Sequence, residues 1–247
     1  IDENQKVTLK DIGSEDMIKK YANKLGAGIY TYELDSQFRC NGSDGYLAWL
    51  NNLLEIKETA NFDIDGFDYD FKVFDNPNEM RKAIEEKNKV NNKSRIVAGY
   101  CWNWLSVGKN NTNIHDIVIP EYNFEMSWNL GNSSTWAIDS ESINEAGCIH
   151  TCQGLEFDYV GVIIGNDLRY ENGHIITDYT KRAKTDQSLR GLNKIIKEEG
   201  IENANKIAGS IIKNTYRTLM TRGMKGCYVY CVDKNLQEYL KKKTGNL

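Results

Sequence analysis

His150-Thr151-Cys152-Gln153-Gly154-Leu155-Glu156-Phe157-Asp158 is the stretch on which the reading of this chain turns. It leads directly into Tyr159-Val160-Gly161-Val162-Ile163-Ile164-Gly165, a short apolar run that reads as a buried strand. A polar segment with a glycine and an acid, held against a core strand, is a construction found at many nucleotide sites.

Outward from that strand, helices and strands alternate. Ser14 reads as the N-cap of a helix over roughly residues 15–25, ended by Gly26. Ile29 to Leu34 alternates as a strand, and Tyr46 to Ile56 has helical spacing of apolar positions. An acidic stretch from Asp63 to Asp75 contains an alternating strand, Asp68 to Phe74. Asn76-Pro77 then opens a helix with Met80, Ala83 and Ile84 on its apolar face. Arg95 to Tyr100 has the composition of a central parallel strand. The aromatic and asparagine-rich region 101–145 resists assignment. A strand near 147–165 carries the opening motif, and a polar section leads to a long helical pattern over roughly 203–221. A strand at 226–232 and a short helix ending in Lys241-Lys242-Lys243 complete the chain. This order implies an α/β fold with three layers and a mainly parallel sheet covered on both faces.

At 247 residues the chain can bury a sizeable core. Its hydrophobic and charged fractions, 40% and 27%, place it among ordinary globular proteins rather than disordered or membrane ones. No apolar run has the length of a membrane span, and no signal peptide opens the chain. The first residue is Ile1, and Ile1-Asp2-Glu3-Asn4-Gln5 looks like the end of a strand, so a fragment with upstream sequence is expected. The net charge of −4 argues mildly against a nucleic-acid binder, but it is unevenly spread. Residues 181–247 carry +9 and residues 1–180 carry −13, a polarity that can steer an anionic polymer toward one face. A solvated lysine-rich surface accounts for the same numbers.

Cysteines at 40, 101, 148, 152, 227 and 231 include two CxxxC pairs. Both pairs read as lying in or beside strands, where residues four apart are separated by roughly 13 Å, too far to share one metal. Reduced, buried cysteines in a cytoplasmic protein, with no metal site, are the expectation.

Near the C-terminus, Tyr216-Arg217-Thr218-Leu219-Met220-Thr221-Arg222-Gly223 ends a helix and leads into a buried strand. Leu34-Asp35-Ser36-Gln37-Phe38-Arg39 places an arginine after an aromatic, and Asp2-Glu3-Asn4-Gln5 places a glutamine three residues after an acid. In company these segments resemble motifs of superfamily 1 helicases. His150 to Asp158 is similar to motif V, Thr221-Arg222 to motif VI, Arg39 to motif IV and Gln5 to motif III. The 34 residues from Gln5 to Arg39 approximate the family's interval between motifs III and IV. Two departures stand out: Arg217 occupies the place of a usual tyrosine, and Gly223 that of a usual alanine. The chain looks closest to a bacterial P-loop family long catalogued as a domain of unknown function, itself similar to the helicase-like region of Schlafen proteins.

The resemblance implies the second RecA-like domain of a tandem pair. Residues 1–28 would end the first domain, and 29–247 would form the second, with insertions near 101–145 and 166–203. It implies that Arg39 and Arg222 stabilise the γ-phosphate in transfer and that Gln5 senses it. Gly154 would let the backbone approach, Glu156 would bond the ribose or a water, and His150 and Thr151 would contact a nucleic-acid phosphate. ATP and Mg²⁺ are implied for the complete protein, with none held tightly by this part.

No Gly-x-x-x-x-Gly-Lys-Ser/Thr occurs, since Gly108-Lys109 has Asn103 where the first glycine belongs and Asn110 after it. Without that phosphate cradle this chain alone is not expected to hydrolyse ATP. Its implied partners are a preceding RecA-like domain and single-stranded DNA or RNA, with no membrane. Trp102 and Trp104 read as packing residues in preference to base-stacking ones. The run Lys181-Arg182-Ala183-Lys184, with Arg190, Lys194 and Lys197, fits a phosphate track and a solvated face equally. The competing reading is a nucleotide-gated interaction module with a degenerate helicase fold and no translocation. A zinc-dependent module built on the paired cysteines is the weakest alternative.

Overall fold

Apolar and small residues fill the strands, and helices with one apolar face separate them. The computed structural model describes residues 3–11, 15–32, 40, 43–62, 64, 68–105, 111, 113–129 and 135–245. In chain order come α1 (Glu15–Leu25), α2 (Asp44–Leu53), β1 (Asp70–Val73), α3 (Pro77–Asn91) and β2 (Ser94–Ala98). They are followed by β3 (Ile117–Ile119), β4 (Phe124–Trp128), β5 (Glu145–Gly147), α4 (Ile149–Cys152) and β6 (Phe157–Ile164). Then come β7 (Leu168–Glu171), β8 (His174–Thr177), α5 (Leu192–Glu199), α6 (Ile201–Met220), β9 (Gly223–Cys231) and α7 (Lys234–Lys243).

Seven strands form one sheet in the order β1-β9-β6-β2-β5-β4-β3. Every neighbouring pair is parallel except β3 with β4. The period-two alternation of strands sorts side chains to two faces. Val160, Val162 and Ile164 of β6, with Cys227, Val229 and Cys231 of β9, pack with Trp49 and Leu50 of α2, Ile212 and Leu219 of α6, and Leu236 and Leu240 of α7. On the other face Ile96, Ala98, Ile163, Tyr228 and Tyr230 pack with Met80 and Ile84 of α3 and with Phe124, Met126 and Trp128 of β4. The result is a three-layer, mainly parallel α/β fold of the RecA-like kind.

α3 begins where the sequence places it: Asn76 accepts a hydrogen bond from the amide of Asn78, and Pro77 takes the first helical position. The amino-terminal segment is tied to the body. Val7 is fully buried, Asn214 Nδ2 donates to the carbonyls of Glu3 (3.2 Å) and Lys6 (3.1 Å), and Leu9 N donates to Ser188 O at 2.8 Å.

Several expectations need correction. Residues 29–32 form no strand: among the described residues they pair with no neighbour, and Tyr30 and Tyr32 are 84% and 88% exposed. Ser14 and residues 33–34 lie outside the described residues. The strand expected near 147–165 is two strands joined by α4, because the amides of Thr151 and Cys152 both turn back onto Cys148 O. Cys148 and Cys152 are therefore one helical turn apart, and the 13 Å argument applies only to Cys227 and Cys231 in β9. Among the described residues, no group of three or more His, Cys, Asp or Glu is placed to hold a metal.

Region 101–145 supplies β3 and β4 at the sheet's edge. The polar section folds a hairpin, β7–β8, around Asn172-Gly173, both with left-handed φ (51° and 88°) as a tight two-residue turn needs. Arg182 is not on a solvated face. Its side chain is 2% exposed, with Nε 2.6 Å from Asp186 Oδ2 and Nη1 3.7 Å from Asp167 Oδ2, while Lys181, Lys184, Arg190, Lys194 and Lys197 are exposed. The fully buried Asp167 also accepts from Tyr216 OH, which in turn accepts from Gly165 N at 3.0 Å.

Candidate nucleotide and nucleic-acid sites

The strands β6 and β9 are parallel, so the residues just before each share one end of the sheet. Before β6 lies the loop Gln153-Gly154-Leu155-Glu156, and before β9 lies Thr221-Arg222. Phe157 N donates to Arg222 O at 2.8 Å, which joins the two segments. Gly154 has φ +88°, a left-handed conformation that a side chain would strain, and an added Cβ would meet nothing within 4 Å. Glu156 is exposed beside it.

Arg222 is 2% exposed. Its Nε donates to Thr218 O at 2.9 Å and Nη1 to Leu155 O at 3.1 Å, so one guanidinium bridges the end of α6 to the loop before β6. The last carbonyls of a helix lack intrahelical donors, and a cation there is favoured by the helix dipole. Other side chains serve the neighbouring carbonyls. Met220 O accepts from Tyr46 OH (3.1 Å) and Tyr69 OH (3.4 Å), and Cys40 Sγ lies 3.8 Å from Thr221 O. Tyr46 and Tyr69 stack at 4.0 Å, and burial pushes both phenols well above their ordinary pKa.

The departure at Gly223 has a physical cause. β9 carries an extra residue against β6 here, since Phe157 faces Gly223 and Tyr159 faces Gly226. A Cβ on Gly223 would lie 2.1 Å from Gly226 O, inside the bulge. Arg217, in the tyrosine's place, donates from Nε to Asn51 Oδ1 at 2.6 Å and ties α6 to α2.

Gln5 reaches this same end: Gln153 Nε2 donates to Gln5 O at 3.4 Å. Arg39 lies outside the described residues, as does Asp2. Its neighbour Cys40 is fully buried, in a left-handed conformation (φ 50°), beside Thr221. Gln5, Gly154, Glu156 and Arg222 thus gather at one end of the sheet.

His150 and Thr151 stand at the other end. They follow β5, as Tyr100 follows β2 and Asn129 follows β4, and these three strands run parallel. A cleft of about 370 Å³ opens there, lined by Tyr100, Trp104, Asn129, His150, Thr151 and Gln187 among others. Thr151 Oγ1 donates to Asn129 Oδ1 at 2.9 Å, and His150 is exposed. Trp102 is a packing residue, with Nε1 donating to Val118 O at 3.3 Å, whereas Trp104 belongs to the cleft. Sequence reasoning missed Tyr100 and Asn129, for which no local motif gives a signal.

Comparison with known proteins decides the family. The family described as Schlafen group 3, DNA/RNA helicase domain, matches residues 1–233. The chain belongs to that family. A curated relative, the uncharacterized protein YPL245W of Saccharomyces cerevisiae, is 27% identical over 224 residues. That alignment covers 85% of this Schlafen-type chain and 47% of the yeast protein, so the chain spans about half the length of its relative. No solved structure matches it. No helix among the described residues is long and apolar enough to cross a membrane.

Proposed function

We propose that this helicase-like chain is the C-terminal RecA-like half of a nucleic-acid-dependent ATPase of superfamily 1 type. Carrying this reading is the gathering of Gln5, Gly154, Glu156 and Arg222 at one end of the sheet, with His150 and Thr151 at the other. On this reading residues 1–28 end a preceding RecA-like unit and 29–247 form the second. ATP binds between the two units, with Mg²⁺ held mainly by the upstream one. α1 supports such a neighbour, because Met17, Ile18, Tyr21 and Leu25 leave its apolar residues exposed.

The residues present fit a nucleotide. Open space above Gly154 admits a ligand against bare backbone, Glu156 offers an acceptor, and Arg222 lies behind the loop, buried and held by Thr218 O and Leu155 O. Arg39 and Arg222 stabilise charge developing on the γ-phosphate, and Gln5 links the phosphate to the strand-binding end. The Leu155 carbonyl that Arg222 holds belongs to the loop between His150 and β6, which gives a covalent route from one end to the other.

The test is ATP hydrolysis by the full-length protein, with and without single-stranded DNA or RNA, beside Arg222→Ala. Stimulation by one polymer, lost in the variant, is the expected result. Because Arg222 is buried, the variant's melting temperature is measured alongside. Turnover retained by a folded Arg222→Ala protein would sink the assignment. The alternative, a nucleotide-gated interaction module, draws on Arg217 being engaged with Asn51 in place of the usual tyrosine. Slow turnover indifferent to both polymers is its signature.

A further inference from the structure

Four successive carbonyls around Arg222 are each met by a donor from another part of the chain. Met220 O, the last of α6, accepts from Tyr46 OH at 3.1 Å, and Thr221 O lies 3.8 Å from Cys40 Sγ. Arg222 O accepts from Phe157 N at 2.8 Å, and Gly223 O accepts from Tyr69 OH at 3.0 Å. The Tyr69 hydroxyl also lies 3.4 Å from Met220 O, so one group spans both sides of Thr221-Arg222. The end carbonyls of a helix lack intrahelical donors, but Gly223 O already belongs to β9, beyond any helix cap. Tyr69 stands directly before β1, which runs parallel to β9, and so reaches the end of the sheet that carries Gly154, Glu156 and Arg222. Its ring stacks on Tyr46 at 4.0 Å, and Trp49 and Phe71 pack against Tyr46 in turn. Burial pushes both phenols far above their ordinary pKa, so they remain protonated donors at neutral pH. A phenylalanine would fill the same space; what the hydroxyl adds is the bond to Gly223 O.

We propose that Tyr69, supported by Tyr46, is a positioning residue for Arg222. The proposal rests on the helicase-like reading and deepens it by naming what sets the place of the arginine. Arg222 Nε and Nη1 hold Thr218 O and Leu155 O, so the guanidinium's position follows from the backbone on which it is mounted. Engaging Met220 O and Gly223 O from one hydroxyl group fixes that backbone on both sides of the residue. The bulge is what calls for such a clamp. β9 carries an extra residue against β6 here, and the regular ladder that holds a strand elsewhere is interrupted. Cys40 follows Arg39 directly, so the second implied arginine is anchored to the same run of carbonyls. Tyr69 acts through Arg222 and the loop before β6 rather than on the nucleotide.

The experiment is steady-state ATP hydrolysis by the full-length protein, well below its melting temperature, with saturating single-stranded DNA or RNA. Tyr69→Phe keeps the ring and its stack and loses only the hydroxyl. It lowers kcat roughly tenfold with KM within about twofold, the pattern of a group that matters in the transition state and not in binding. Tyr239→Phe is the control: it removes a phenol bond of the same kind, to Leu53 O at 3.1 Å, from a ring stacked on Tyr170 of β7, and it leaves kcat unchanged. Tyr46→Phe removes the second donor to Met220 O, gives a smaller loss of the same form, and carries the test if Tyr69→Phe does not fold. A folded Tyr69→Phe protein with parental kcat, or equal losses in Tyr69→Phe and Tyr239→Phe, overturns the proposal; turnover abolished in Arg222→Ala then leaves the helicase-like reading standing. Turnover absent from the unaltered protein, or retained in a folded Arg222→Ala variant, overturns both.

Discussion

Gly223→Ala changes one hydrogen to a methyl group and installs the alanine that the resemblance to superfamily 1 motif VI leads one to expect, yet the bulge cannot accept it. The added Cβ would lie 2.1 Å from Gly226 O, 3.0 Å from Gly226 C and 3.2 Å from Val160 Cγ1. The nearest obstacle is backbone, so no rotamer change removes it. Opening the bulge disturbs the bond from Phe157 N to Arg222 O (2.8 Å) and the one from Arg222 Nη1 to Leu155 O (3.1 Å). Overpacking a tight site costs about 1–3 kcal/mol, and each of the two net hydrogen bonds lost adds about 1 kcal/mol, so a total of about 3–5 kcal/mol follows. For a domain of this size that lowers the melting temperature by about 6–20 °C. Urea or thermal unfolding of the chain followed by circular dichroism is the assay. A Gly223→Ala protein within about 0.5 kcal/mol of the parent would refute the steric reasoning, because that is the range of an unremarkable surface change.

Other consequences follow from the same contacts. Tyr216→Phe removes the donor to Asp167 and the acceptor of Gly165 N, both buried, and lowers stability by about 2–3 kcal/mol in denaturant titration. Arg182→Met strands two buried carboxylates and costs about 3–5 kcal/mol, whereas the triple change with Asp167→Asn and Asp186→Asn recovers most of it; an equally unstable triple variant would contradict the ion-pair account. Burial raises the pKa of Asp158, but hydrogen bonds from Lys225 and Asn91 outweigh it and hold the carboxyl below its ordinary value. The stability it contributes is therefore present above about pH 4 and is lost as pH falls through the lowered pKa, so Asp158→Asn flattens the acid limb of a stability–pH curve. Glu156 is exposed, so Glu156→Gln leaves the melting curve within about 0.5 kcal/mol of the parent while reducing ATP turnover of the full-length protein.

The parts of the fold visible in the sequence were those with a strong local signal. β2 and β6 are apolar runs buried on both faces, and α3 announces itself through Asn76-Pro77. α4 escaped because a single turn has no periodicity to read, and Cys148, Ile149 and Cys152 are apolar enough to pass for strand. Residues 29–32 alternate like a strand, but alternation yields one only where the segment pairs with a sheet edge, and among the described residues it pairs with neither β1 nor β3. The β7–β8 hairpin did carry a signal, Asn172-Gly173, that was passed over. Burial of Arg182 had none, since Asp167 is fifteen residues away and is brought close only by the path of the chain after β6.

At the site, Gly154, Glu156 and Arg222 share one end because they precede the adjacent parallel strands β6 and β9, and Gln5 joins them through Gln153. What the motifs could not convey is that Arg222 holds Leu155 O and the end of α6, a contact between residues 67 apart. Asn129 likewise sits in no motif; its bond with Thr151 exists only once the end of β4 and α4 are side by side.

Amide hydrogen exchange of the full-length protein, with and without a non-hydrolysable ATP analogue, tests the central claim most directly. The account predicts slowed exchange at Gly154 to Phe157 and at Arg222 and Gly223, with a single strand instead slowing the segments around Tyr100 and His150. Protection by the nucleotide that spares both segments before β6 and β9 would contradict it.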